Sequence, residues 1–296
     1  MAIAWVFPGQ GSQKAGMADG LLELPGARER FARASALMGR DLLAICSGAG
    51  AGELTDLNDT RNTQPALFVV ESLLVDALSA QGRRADLLAG HSLGELVALY
   101  AAGVYDADTG LALVRRRSEL MAAAGGGAMT AVMGFDRGEL ERLVGASEGV
   151  VIANDNSSAQ VVLSGTPEAV ARVSAELHCK RAVPLAVSGA FHSPFMAEAA
   201  AAFAAELESI PFADAAVPVV SNADPTPHTS GAVLKDRLRR QMTTGVRWRE
   251  TMDALAAAEV DTAVEVGPGN VLSGLFKRSC PAIGTARIAC IADLGA

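Results

Sequence analysis

Apolar positions along this chain fall into two interleaved patterns. Short unbroken apolar runs, such as Ile3 to Phe7 and Leu87 to Ala89, alternate with longer stretches where apolar residues return every three or four positions. Pro65 to Ala80, Leu93 to Ala102 and residues 107–122 are of the second kind. Unbroken runs suit strands buried on both faces, and the three-to-four spacing suits helices packed against them. The rhythm predicts a parallel sheet in an α/β fold. Pro65 is expected at a first helical position, where its missing N–H costs nothing, and Gly103 is expected to stop the helix before it.

Gly125-Gly126-Gly127 interrupts this rhythm. The order beyond it reads strand 128–133, helix 136–144, strand 149–153, strand 160–164, helix 167–178 and strand 181–187. That βαββαβ order is ferredoxin-like, and about 60 residues can hold it. Residues 125–188 are therefore expected to form an inserted small subdomain. Residues 1–124 and 189–296 are expected to form the large domain, which resumes with helix 193–208, strand 217–221, helix 231–242 and strand 262–266.

Composition agrees with this architecture. Half of the 296 residues are hydrophobic but only 4% are aromatic, which suits close-packed helices on a sheet more than an all-β fold. The net charge of −8 argues against nucleic acid as a general partner, because phosphate binding needs an excess of positive charge. No run approaches the roughly 20 apolar residues of a membrane span, and Met1 to Trp5 lacks the basic region of a signal peptide, so a cytoplasmic protein without a membrane partner is expected. Cys46, Cys179, Cys280 and Cys290 form no C-x-x-C pair, and neither a zinc site nor a disulfide framework is expected. Gly48 to Gly52 reads as a loop, because Glu53 occupies the third glycine position of a dinucleotide fingerprint.

The most informative chemistry lies in Gly90-His91-Ser92-Leu93-Gly94, between a strand and a helix. Glycines on both sides of a serine allow the tight turn that exposes a nucleophile, although the same serine can serve as a helix cap. A serine hydroxyl needs a base, and four histidines exist. His91 is turned away by the elbow itself, His178 is expected in the last turn of a small-domain helix, and His228 lies in a turn-rich loop. His192 remains, where the chain leaves strand 181–187 and re-enters the large domain at a strand end. No carboxylate is identified to orient it. The backbone N–H of Leu93 is placed as one oxyanion donor, and a second is expected from the glycine-rich loop Pro8 to Gln13 after the first strand.

Arg117 stands out in helix 107–122. Among three consecutive arginines only Arg117 has large apolar residues at all four neighbouring positions, Leu113, Val114, Leu120 and Met121. Its guanidinium is expected to point inward, where it needs an anion such as a carboxylate, an internal salt bridge and a snorkelling stem being the other readings.

Together, Phe7-Pro8-Gly9-Gln10-Gly11-Ser12-Gln13, Thr63-Gln64-Pro65-Ala66-Leu67, Gly90 to Glu95, Phe191-His192-Ser193-Pro194-Phe195-Met196 and Glu265-Val266-Gly267-Pro268-Gly269 resemble the ordered motifs of malonyl-CoA:acyl-carrier-protein transacylases. The resemblance runs from the first strand to about residue 278. It implies an α/β-hydrolase-like large domain with a ferredoxin-like subdomain. It also implies ping-pong transfer of malonyl from coenzyme A to the phosphopantetheine thiol of acyl carrier protein, with malonyl-CoA as substrate and no resident cofactor or metal. By position Ser92 is the nucleophile, His192 the base, Gln10 and Leu93 the oxyanion-hole donors, and Arg117 the partner of the malonyl carboxylate. Gln241 matches the position whose main-chain carbonyl holds the histidine. Ala190-Phe191-His192-Ser193 resembles malonyl-selective members. Because the family's carrier proteins are acidic, the basic cluster Lys235, Arg237, Arg239, Arg240, Arg247 and Arg249 is a candidate docking face. A freestanding polyketide-type acyltransferase and the transacylase of a malonate decarboxylase share these motifs. A serine hydrolase would use the same elbow and histidine but let water resolve the acyl-enzyme, and a non-catalytic acyl-CoA-binding subunit would carry the elbow as a vestige.

Overall fold

Strand β1 (Ala2–Phe7) is apolar throughout because it lies at the centre of a parallel sheet and is covered on both faces. It pairs with β2 (Leu87–Gly90) on one side and β8 (Val260–Val266) on the other, while β7 (Val219–Val220) and β9 (Gly284–Ile288) form the edges, giving the order β7-β2-β1-β8-β9. The computed structural model describes residues 1–49, 55–187 and 189–295. Most of the predicted glycine loop at Gly48 to Gly52, and the predicted boundary at 188, lie outside the described residues.

Alternate residues of β1 serve two cores. Trp5 and Phe7 face α3 (Thr60–Ala80), α4 (Leu93–Ala101) and α5 (Ala107–Ala123), whereas Ala4 and Val6 face α10 (Trp248–Ala257) and α11 (Val271–Ser279), where Trp248 and Phe276 fill the layer. The result is helix, sheet and helix in three layers. Further helices α1 (Ala27–Met38), α2 (Leu42–Ser47), α8 (Ala197–Ser209), α9 (Gly231–Arg240) and α12 (Ile291–Leu294) complete this unit. Helix α3 is the one helix among the described residues long and apolar enough to cross a membrane, and it is instead a core helix packed on α4 and α5.

Residues between α5 and α8 build a second, antiparallel sheet. Strands β3 (Ala128–Phe135), β4 (Val150–Ser157), β5 (Gln160–Gly165) and β6 (Cys179–Pro184) take the order β4-β5-β3-β6, and α6 (Arg137–Gly145) and α7 (Pro167–Glu176) cover one face around Val132, Leu140, Val161 and Val170. This is the ferredoxin-like arrangement. Strand β4 joins the large unit through a bridge from Asn154 to Val246 and an ion pair from Asp155 to Arg249. The two connecting segments meet where Gly127 lies against Ala190, since a Cβ on Gly127 would stand 2.2 Å from the Ala190 nitrogen.

Several element limits differ from expectation. Helix α3 begins at Thr60 under an Asp59 cap, so Pro65 is inside it rather than at its start. The polar first turns of α3 concealed this, because Asn62 and Thr63 are buried against the Asp56–Asp59 loop and Gln64 is buried beside Arg117 instead of facing water. Helix α7 ends at Glu176, which places His178 outside it, with Nδ1 on Glu139. The strand expected at 181–187 runs 179–184, freeing Leu185 and Val187 to line a cavity. The helix expected at 193–208 is a 3₁₀ turn at Pro194–Met196 followed by α8, the strand at 217–221 has two residues, and the helix at 231–242 stops at Arg240.

Candidate active site

Phe7 and Gly90 pair across β1 and β2, so the loops that follow these strands emerge side by side. The first carries Gln10 and the second carries Ser92. Both elbow glycines are sterically required. A Cβ on Gly90 would lie 1.9 Å from the Gly94 carbonyl carbon, and one on Gly94 would lie 2.1 Å from the Phe7 carbonyl oxygen. Ser92 takes φ 54° and ψ −104°, a conformation that costs a side-chain-bearing residue about 1–3 kcal/mol. Asn222 holds it there. Its Oδ1 accepts from the Ser92 N–H at 2.7 Å while its Nδ2 donates to the Gly90 carbonyl at 2.6 Å.

His192 also has positive φ, at 56°, and its ring reaches Ser92. Nε2 lies 2.7 Å from Ser92 Oγ, and Nδ1 lies 2.9 Å from the backbone oxygen of Gln241. A carbonyl only accepts, so Nδ1 carries the proton and Nε2 is free to receive the serine's. Burial, with the Arg117 charge alongside, pushes His192 down to about 3. The imidazole is therefore neutral at ordinary pH, as a general base must be.

Arg117 points inward and is 1% exposed. Its two terminal nitrogens donate to Gln64 Oε1 at 2.6 Å, Gln241 Oε1 at 2.8 Å and Ser92 Oγ at 3.1 Å, all neutral acceptors. Burial pushes it down to about 10, with the nearby Glu95 acting in the opposite direction. Gln10, Leu93 and Met121 join Ser92, His192 and Arg117 around a cavity of about 80 Å³. Leu93 is the first residue of α4, so its N–H has no acceptor within the helix. The side-chain oxygen of Gln10 accepts from the Thr60 hydroxyl. Through Gln10, Val187 and Phe191 the cavity opens into a groove of about 780 Å³ along Asp56 to Arg61.

Residues 4–290 match the acyl transferase domain. The chain belongs to that family. This acyl transferase domain is 49% identical over 294 residues to the malonyl CoA-acyl carrier protein transacylase of Synechocystis sp., covering 99% of both chains. The crystal structure of the Synechocystis transacylase superimposes with a TM-score of 0.95, covering 100% of this chain and 99% of that one. A malonyl-transacylase in complex with its type II polyketide acyl-carrier protein matches at TM-score 0.91 and 38% identity, covering 99% and 98%.

The structure brings Ser92, His192, Arg117, Gln241, Gln10 and Leu93 to one place in this acyl transferase domain. Of the expected basic face it buries one arginine and pairs four others at the surface. Arg237 is 4% exposed and bonds to Asp224 and Thr226, and Arg239, Arg240, Arg247 and Arg249 each pair with a carboxylate. Gln64, Glu95 and Asn222 were not assigned roles from sequence. Glu95 carried a readable signal as the lone charge in an otherwise apolar helix. His91 turns from Ser92 to Asn156 on β4, 2.8 Å away, and its ring lies tilted against Trp248 with centroids 5.5 Å apart.

Proposed function

We propose that this acyltransferase moves a malonyl group from malonyl-CoA to the phosphopantetheine thiol of acyl carrier protein, supplying malonyl units for fatty-acid synthesis. The observation that carries this reading is the buried guanidinium of Arg117 at 3.1 Å from Ser92 Oγ. An acyl group bonded to Ser92 extends into a small apolar cavity whose one buried cation suits a terminal carboxylate. An acetyl group leaves that cation without an anion.

In the proposed first half-reaction, Ser92 Oγ attacks the thioester carbonyl as its proton passes to His192 Nε2. The N–H groups of Gln10 and Leu93 receive the developing oxyanion. The C–S bond breaks, and the departing sulfur takes the proton from the imidazolium. The second half-reaction runs the same steps in reverse with the carrier thiol as nucleophile. The serine, histidine and backbone donors supply every group these steps need, so the proposal includes no resident cofactor. Cytoplasmic placement belongs to the same proposal and is supported by four free cysteines.

Intact mass spectrometry tests the reading directly. Malonyl-CoA should add one malonyl group, Ser92→Ala should abolish the adduct, and holo carrier protein should remove it with the malonyl group appearing on the carrier. An adduct retained by Ser92→Ala, or discharge solely as free malonate, overturns it.

A further inference from the structure

Glu95 stands in the first turn of α4 and is fully buried. Its Oε2 accepts from the Asn222 backbone N–H at 3.1 Å and from the Gln241 side-chain amide at 2.7 Å. These two residues hold the reacting groups. Asn222 clamps the elbow, and Gln241 touches Ser92, His192 and Arg117 at once, donating to the Ser92 carbonyl at 2.9 Å and accepting from the other two. A neutral amide oxygen can accept the same two bonds, so a carboxyl in so dry a place needs a further reason.

That reason lies in the charge balance around Arg117. A buried guanidinium without a counter-ion is costly, and every hydrogen-bond partner of Arg117 is neutral. One amide joins it to Glu95, because Gln241 accepts from Arg117 through Oε1 and donates to Glu95 through Nε2. Glu95 is thus the counter-ion at one remove. Once an acyl carboxylate occupies Arg117, two anions share one cation in a site without bulk water.

We propose that Glu95 is a positioning residue, ionised in the empty site, that takes up a proton from solvent when an acyl group ending in a carboxylate occupies Arg117. The proposal rests on the malonyl reading above. A proton on Oε1 leaves Oε2 accepting from both Asn222 and Gln241, so the network keeps its geometry while the net charge of the site stays constant. The charged and titratable groups around Glu95 are Arg117 and the Tyr105 phenol, with the Ser221 hydroxyl also beside it. Burial already raises the Glu95 carboxyl, opposed by its bonds from Gln241 and Asn222 and by the Arg117 charge, so neutralising Arg117 removes part of what keeps it ionised.

Acylation itself is proton-neutral near pH 7, because the serine proton leaves on the coenzyme A thiol, and alkyl thiols, with cysteine's ordinary pKa at about 8.5, stay protonated there. Proton uptake is therefore measured with a pH indicator in weakly buffered solution, comparing malonyl-CoA with acetyl-CoA and counting adducts by mass. Uptake approaching one proton per malonyl-enzyme, with none for acetyl-enzyme, is expected. Glu95→Gln should still form malonyl-enzyme but without the uptake, and its malonyl KM should lose the rise with pH of up to about tenfold per unit shown by the wild type. Malonyl-enzyme formed by the wild type without uptake overturns the proposal, whereas failure to form any malonyl-enzyme overturns the malonyl reading instead. Should Glu95→Gln fail to fold, the wild-type comparison of the two acyl groups decides alone.

Discussion

The Nη2 of Arg117 donates to the Oγ of Ser92 at 3.1 Å, so a buried cation stands one hydrogen bond from the candidate nucleophile. A carboxylate that pairs with Arg117 must therefore belong to a short acyl group, because carbonyl and carboxylate have to fit within the reach of one guanidinium. Arg117→Ala should lower malonyl kcat/KM by about a hundred- to a thousandfold, the equivalent of about 3–4 kcal/mol and within the range for a broken buried ion pair, while acetyl transfer survives. Steady-state kinetics with both thioesters checks this, and unchanged malonyl kinetics removes the carboxylate clamp from the account.

The elbow glycines and the glycine ending its helix should respond differently to the same change. A Cβ on Gly94 meets the Phe7 and Pro8 carbonyl oxygens at 2.1 and 2.8 Å, and both belong to the backbone of the central strand and its loop. Gly103, with φ 75°, has nothing within 4 Å. Gly94→Ala should therefore cost more than about 4 kcal/mol and fail to give folded protein, whereas Gly103→Ala should cost about 1 kcal/mol through backbone strain alone. Soluble yield and circular dichroism for Gly94→Ala, with thermal melting for Gly103→Ala, separate these mechanisms.

How much of the site could be read in advance follows from the kind of signal each residue leaves. Ser92 was legible because its turn demands glycine at fixed offsets, and Arg117 because Leu113, Val114, Leu120 and Met121 surround it on one helix face. His192 emerged by elimination. Gln241 acts on His192 through its backbone oxygen, which any residue type can supply, so only family resemblance indicated it. Asn222 and Gln64 left no local trace, since they meet Ser92 and Arg117 across 130 and 53 residues of sequence. The fold shows the same division. The central strand β1 is apolar on both faces and was plain, whereas the edge strand β9 exposes most of its residues and has no readable periodicity.

His192 should also govern part of the acid stability. Its ordinary pKa near 6.5 applies to the unfolded chain, and burial beside Arg117 lowers it to about 3 in the folded protein. Between those values the unfolded chain binds a proton that the folded protein refuses. Stability contributed by this group is therefore intact above pH 6.5 and is lost as pH falls toward 3, at up to about 1.4 kcal/mol per unit. Denaturant melts from pH 7 to pH 4 should show a shallower loss for His192→Gln than for the wild type. Equal slopes would mean that His192 titrates normally in the folded protein.

The basic segment between Lys235 and Arg249 is expected to behave as structure rather than as a docking face for an acidic carrier. Arg237 donates to Asp224 at 2.8 Å and twice to Thr226 at 2.6 Å, tying the 224–226 loop beneath α9. Arg239 pairs with Glu208, Arg240 with Asp236, Arg247 with Glu250, and Arg249 with Asp155 and Asp253, so these charges are offset where they stand. Lys235 lies over the Phe212 ring. Arg237→Glu should lower stability by about 3–5 kcal/mol, because it buries an uncompensated anion beside Asp224. Arg240→Glu removes a surface pair worth no more than about 1 kcal/mol and should leave both melting temperature and carrier KM nearly unchanged. A large, salt-sensitive rise in carrier KM for Arg240→Glu, without loss of stability, would restore the segment as a docking surface.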